Sequence, residues 1–350
     1  MYAVAAIPES YTRLNTILRD AISGSRQINN LRPPGATQTW GVAFDPRNSH
    51  RAAVGDEGGI TWLWDPLGSS QTSDQSLKLL ALSAAGGLVN GLAFNKDGSL
   101  LAAAYRSNGV VVWRLSASAP IVVCQLRPIG QNSGAYGVAF HESVVAIAGG
   151  DAAVHLWDVS NEQCPDKGKA FRRRDVVFGV AISDDGKMLA AASGDGSVAV
   201  WNIDNPEATL LDEHFGSPMF AVAFSHDGKT LAATGQDGIG YFWEIQNNSD
   251  KIRIERRSTE LSRNEPNRGT LGQISFSPDE KKVAATALAA GTALVAVVAD
   301  AHTLKQDILL QTHKPSLFGV AFSPDSKNLL LTSNLSGSAS LWSVEEDYRS

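Results

Sequence analysis

The chain has 350 residues, 43% of them apolar and only 19% charged, a composition that can bury a core and that excludes a largely disordered polar chain. Its net charge of -6, from 36 acidic against 30 basic residues, gives no electrostatic reason to follow a phosphate backbone, so nucleic acid is not an expected partner. Two cysteines, Cys124 and Cys164, cannot make a disulfide framework, and the opening MYAVAAIPES lacks the basic start of a secretory signal, so a reduced cytoplasm is the expected setting.

In chain order, residues 9–23 read as a short N-terminal helix. Leu14, Ile17, Leu18, Ala21 and Ile22 fall on one face, Pro8 suits the first turn, and Gly24 can end it. Arg26 to Leu31 (RQINNL) reads as an isolated strand. From there the chain repeats itself. VFGVAISDDGKMLAAASGDGSVAVW, ending at Trp201, and MFAVAFSHDGKTLAATGQDGIGYFW, ending at Trp243, align without a gap, and VNGLAFNKDGSLLAAAYRSNGVVVW, ending at Trp113, fits the same frame. With small length changes so do the stretches ending at Trp64, Trp157 and Trp342. A further copy lacks the terminal Trp, whose place is expected at Val297 or Val298. Anchored on the residue before the first turn, the units fall at Phe44, Phe94, Phe140, Ile182, Phe224, Phe276 and Phe322, which is seven copies spaced 42 to 52 residues apart.

Each unit alternates as VAF, a DG or PD turn, LAA, a Gly/Asp turn, and a run into Trp, the pattern of three antiparallel strands joined by tight turns. A looser fourth strand is expected at 77–82, 121–126, 208–211, 251–255 and 307–310. Val283 to Ala299 carries no charge but is interrupted by Gly291 and Thr292, and falls where the repeat needs two strands and a turn, so it reads as a strand pair and not a membrane span. Four short strands recurring at this period are the signature of propeller blades. The expected fold is therefore all-β, a seven-bladed propeller of four-stranded antiparallel blades.

Trp64-Asp65 and Trp157-Asp158, the variants WN, WE and WS at Trp201, Trp243 and Trp342, and the SPD and DG turns make the chain similar to the WD-repeat family over about residues 36 to 345. The resemblance implies that Asp151, Asp195 and Asp237, each six residues before its Trp, accept backbone N-H groups within a turn. No Gly-His dipeptide occurs, so the family's buried Asp, Ser/Thr, His and Trp tetrad is missing and the blades are expected to be held mainly by packing. Only SVEEDYRS follows Trp342, too short and acidic for an outer strand, so residues 26–31 are expected to close the last blade and remove an open edge. The expected organisation is a helical extension at 1–25, a propeller at 26–345 and a tail at 346–350. The extension also resembles the helical connector preceding WD-repeat sensor regions in bacterial signal-transduction ATPases, with an ordinary cap on the ring as the other reading.

The search for chemistry yields little. Gly228-Lys229-Thr230 lacks the Gly that a phosphate loop needs five positions earlier, where Ala223 stands. The seven histidines show no paired metal spacing, and no G-x-S-x-G elbow occurs. Two basic groups, Arg172 to Arg174 and the Arg-rich stretch 251–268, read as solvated surface, and 68–76 and 246–269 are the longest insertions. The positive signal lies four residues before each anchor: Trp40, Asn90, Tyr136, Phe178, Phe220, Gly272 and Phe318, five of them aromatic. In the family geometry this position opens the innermost strand beside the central channel and is a frequent partner contact. The following residue is small in six copies: Gly41, Gly91, Gly137, Gly179, Ala221 and Gly319. Trp40, Asn90, Tyr136, Phe178, Phe220 and Phe318, with Tyr105 and Arg106, form the candidate partner-binding set. The function expected is a non-catalytic interaction platform for a protein partner, signalling or effector in kind, with no cofactor, membrane or small-molecule substrate. The alternatives are rings that merely plug the channel, or a propeller enzyme with its site at the channel mouth.

Overall fold

The computed structural model describes residues 26–36, 38–65, 80–83, 87–116, 119–127, 134–248, 251–257, 261–262, 270–288, 294–304, 306–312, 317–333 and 337–345. The predicted helix at 9–23 lies outside them. Seven antiparallel sheets form, six of them built in sequence order from an innermost strand outward and the seventh completed by a strand from the start of the chain. The innermost strands are Thr39–Asp45, Val89–Phe94, Ala135–His141, Val177–Ile182, Met219–Phe224, Thr270–Phe276 and Leu317–Phe322. Each neighbours the next, and that of blade seven neighbours that of blade one, so the ring is closed.

The first hairpin turn recurs because one short polar pair rebuilds it in blade after blade. In blade four the Ser183 hydroxyl donates to Asp185 at 2.6 Å and accepts the Met188 N-H at 2.9 Å. Ser225 and Asp227, then Ser277 and Asp279, repeat the arrangement in blades five and six at 2.7 Å each. The Gly that follows Asp185 and Asp227 takes the left-handed conformation, at Gly186 (φ 70°) and Gly228 (φ 69°). Gly228-Lys229-Thr230 is thus a hairpin turn.

The second strands, such as Met188–Ser193, are buried along their length, because each is sandwiched between adjacent sheets. Blade six is the strand pair Lys282–Leu288 and Leu294–Asp300, as its spacing predicts. Its ladder corrects one expectation. Leu189 faces Trp201 and Leu231 faces Trp243, while the equivalent Val283 faces Ala299, so Ala299 stands where the other blades carry the indole, not Val297 or Val298. Phe242, Phe276, Ala301 and Leu304 share its core cluster.

Blade seven closes as expected: Gln27–Leu31 lies antiparallel to Ser338–Ser343, with Leu31 opposite Ala339. Outer strands occur at Leu80–Ser83, Ile121–Leu126, Asn205–His214, Lys251–Arg256 and Gln306–Thr312. Blade three adds Asp166–Arg172, which the alternation of its sequence did not disclose.

Two expectations fail. The cysteines are joined: Cys124, on the outer strand of blade two, is disulfide-bonded to Cys164, in the loop before the outer strand of blade three. Both are buried, and the ring brings together what 40 residues of sequence separate. Nor do the blades rely on packing alone, because the turn aspartates Asp151, Asp195 and Asp237, and Asp56 at the end of the second strand of blade one, have other partners. Asp56 accepts the Trp62 indole N-H at 2.7 Å, Asp151 bonds the His155 ring at 2.8 Å, and Asp237 accepts the Tyr241 hydroxyl at 2.6 Å. In each case the partner sits two residues before the blade's terminal Trp. Blade four has Ala199 there, and Arg173 replaces it from outside. Its guanidinium lies 3.8 Å from Asp195, 2.7 Å from Asp212 and over the Trp201 ring. Arg173 is therefore a core cation and not part of a basic patch, while Arg172 and Arg174 remain exposed.

Candidate functional site: an aromatic channel mouth

Each residue of the recurrent position opens its innermost strand, and the ring turns seven equivalent positions into one rim. Trp40, Asn90, Tyr136, Phe178, Phe220, Gly272 and Phe318 line a single cavity of 260 Å3, together with Arg106 and Gln273. The six side chains of the candidate set at this position are all half-buried. A cavity remains between them.

The rim is two aromatic arcs with two gaps. Phe318 and Trp40 pack with ring centroids 3.7 Å apart; Tyr136, Phe178 and Phe220 form a chain of edge contacts at 5.4 and 5.5 Å. Edge-to-face pairs of this kind hold one another's orientation, so the rings are pre-set for contact. Asn90 and Gly272 stand in the gaps. The Asn90 amide donates to the Ala135 carbonyl at 3.1 Å, which ties blade two to blade three. In blade six the large side chain comes one residue later, as Gln273, whose carbonyl oxygen accepts the Val320 N-H of blade seven at 3.4 Å.

The run of small residues beside the rings has a packing cause. A Cβ added at Gly137 would lie 2.9 Å from the Phe178 carbonyl oxygen, and one added at Gly179 would lie 2.8 Å from the Ala221 Cα. Innermost strands of neighbouring blades touch backbone to backbone there, so no Cβ fits at Gly137 or Gly179.

Two further candidates, Tyr105 and Arg106, separate sharply. Tyr105 is 0% exposed, a core side chain of blade two, and burial pushes its phenol up to about 12. It cannot touch a partner, and its assignment to the binding surface is withdrawn. Arg106, the next residue, turns the other way: it is exposed, lines the mouth, and holds its guanidinium 5.8 Å from the Tyr136 ring centroid. Gln273 was missed by the repeat pattern because it stands one residue after the recurrent position, which Gly272 holds in this blade.

The opposite end of the channel opens into a wider cavity of 660 Å3, whose rim carries Arg47, Lys96, His141, Glu142, Asp184 and His226. Among the described residues no group of three or more His, Cys, Asp or Glu side chains is placed to hold a metal ion, and no helix is long and apolar enough to cross a membrane.

The WD domain, G-beta repeat model matches residues 76–114, 169–202, 205–244 and 304–343, which carry the cores of blades two, four, five and seven. The fold resembles the β-propeller domain of Cps50 (Swd1) from Myceliophteria thermophila, at a TM-score of 0.75 and 16% identity over 91% of this chain and 99% of that one. It also resembles a chain of the mitotic checkpoint complex, at a TM-score of 0.71 and 18% identity over 99% of both. No curated protein matches by sequence. Repeat matches on four blades, and a closed ring of seven sheets, make this molecule a seven-bladed β-propeller whose blades are similar to the WD domain, G-beta repeat.

Proposed function

We propose that the propeller is a non-catalytic interaction platform that receives a protein partner at the aromatic mouth. The observation that carries this is the convergence of five half-buried aromatic side chains around one open 260 Å3 cavity. Rigid aromatic anchors beside a concavity are what partner-binding hot spots are made of. WD-repeat propellers generally serve as protein-interaction scaffolds, and one fold neighbour was solved as part of a complex. Among the described residues the lining contains no carboxylate and no imidazole, the groups that most often act as general acid and base, and this favours the platform over a catalytic reading. Within this reading a signalling or effector partner is favoured by the likeness of residues 1–25 to a sensor connector. A cytoplasmic setting loses the support of the cysteines, because they are bonded to each other.

The test is a double replacement, Tyr136→Ala with Phe220→Ala. If the rings are hot spots, partner capture from the native host falls by several kcal/mol in total, at about 2 kcal/mol each, while the melting temperature barely moves. A large loss of stability with capture unchanged at low temperature would refute the reading and return the rings to the core.

A further inference from the structure

The mouth has a chemical preference written into Arg106. Among the described residues Arg106 is the sole charged residue of the lining, and its guanidinium has no ion pair and no hydrogen bond, only the Tyr136 ring beneath it. The Gln273 carbonyl oxygen is committed to Val320, which leaves its amide N-H groups as donors. An apolar cavity edged by a fixed cation and a spare amide donor is complementary to an apolar anchor that carries a carboxylate.

The same geometry argues against the opposite occupant. An aromatic ring attracts a cation through its face, but Arg106 already occupies the Tyr136 face, so a second Lys or Arg entering beside it would meet like charge. Asp175 stands outside the lining, beside Gly194 and the Phe178 ring, in the segment that leads into blade four.

We infer that the mouth selects a protein segment whose aromatic or aliphatic anchor is flanked by Asp, Glu or a free C-terminal carboxylate, with the acid lying toward Arg106. This inference rests on the mouth being the partner site, so the experiment separates the two. A library of displayed random heptapeptides is selected on four proteins: wild type, Arg106→Glu, Arg106→Lys, and Tyr136→Ala with Phe220→Ala. The wild type is expected to enrich an apolar residue next to an acidic one, Arg106→Lys to retain the motif more weakly, and Arg106→Glu to lose it or exchange the acid for a base. The aromatic double variant is expected to enrich nothing in common with the wild type. For a synthetic copy of an enriched peptide, changing its Glu to Gln, or Arg106 to Glu, is expected to weaken binding at least about tenfold, the worth of one charge-assisted hydrogen bond. Peptides that depend on the aromatic rings but carry no acid, or carry Lys or Arg, would overturn this inference and leave the platform standing. Peptides that survive the aromatic double variant, or no enrichment at all, would overturn both.

Discussion

The aspartates of the second turns show what this chain carries in place of a buried tetrad. Three blades place a polar-tipped ring, Trp62, His155 or Tyr241, where it reaches the carboxylate, and blade four brings in Arg173. Burial raises the Asp195 carboxyl, but the Ser197 hydroxyl, the Arg174 and Ser197 N-H groups and the Arg173 charge outweigh it and hold the group below the usual range. Removing each partner should cost unequally. Tyr241→Phe deletes one hydrogen bond to a carboxylate and is expected to cost about 1 to 2 kcal/mol. Arg173→Ala leaves Asp195 buried without its cation and is expected to cost about 3 kcal/mol. Urea denaturation of the two variants checks the order, which a purely packing-held blade would reverse or abolish.

Acid should act on the first hairpin turns. Burial raises Asp185, Asp227 and Asp279, and in each it is outweighed by a Ser hydroxyl and a backbone N-H from the turn, so all three lie below the usual aspartate range. A carboxyl depressed by folding contributes stability that is present above its unfolded value and lost as pH falls through the folded one. The melting temperature is therefore expected to fall steeply below about pH 4, and Asp227→Asn to flatten that fall. An unchanged acid profile in this variant would show that the turns contribute nothing to acid sensitivity.

At the scale of the element, blade six is the anomaly. Six blades place an indole opposite the second strand, whereas here Ala299 occupies the position and a residue-sized contact is lost. Amide exchange across Val283 to Val298 is expected to be faster than across Met188 to Trp201; equal or slower exchange would show that the surrounding cluster of Phe242, Phe276 and Leu304 compensates fully. Blades two and three present the opposite case, since the Cys124–Cys164 bond ties them at their outer edges. Closing a loop across 40 residues restrains the unfolded chain by about 3 to 4 kcal/mol on the chain-entropy view. Reductant is expected to lower the melting temperature of the wild type and leave Cys124→Ser with Cys164→Ser unaffected, which scanning calorimetry reads directly.

The whole molecule depends on closure. Leu31 is fully buried, the Arg26 guanidinium donates to the Glu345 carbonyl at 3.0 Å, and Thr39 donates to the Ser338 carbonyl at 2.9 Å. The two ends of the ring are thus joined by a ladder and by side chains. Deleting residues 1–31 exposes the edge of Ser338–Ser343, and the shortened protein is expected to aggregate and to melt lower than the full chain. A truncated protein that stays monomeric at the same melting temperature would mean that blade seven does not need its fourth strand.

Period, turn chemistry and alternation were enough to determine seven blades and the strand that closes them, while the position that rims the channel was implied by the resemblance to WD repeats. These are local properties: a DG turn, an apolar pair and a Trp recur at fixed offsets, whatever surrounds them. What crosses between blades was illegible. The pairing of Cys124 with Cys164, the arrival of Arg173 at Asp195, and the role of Gln273 each join residues that only the closed ring makes neighbours. The division between Tyr105 and Arg106 was equally hidden, because adjacent strand-end residues point to opposite sides and only the packed sheet decides which side is core. Even the small residues beside the rings, visible as a pattern, acquired their reason from tertiary structure: backbones of neighbouring blades meet there, and no side chain fits between them.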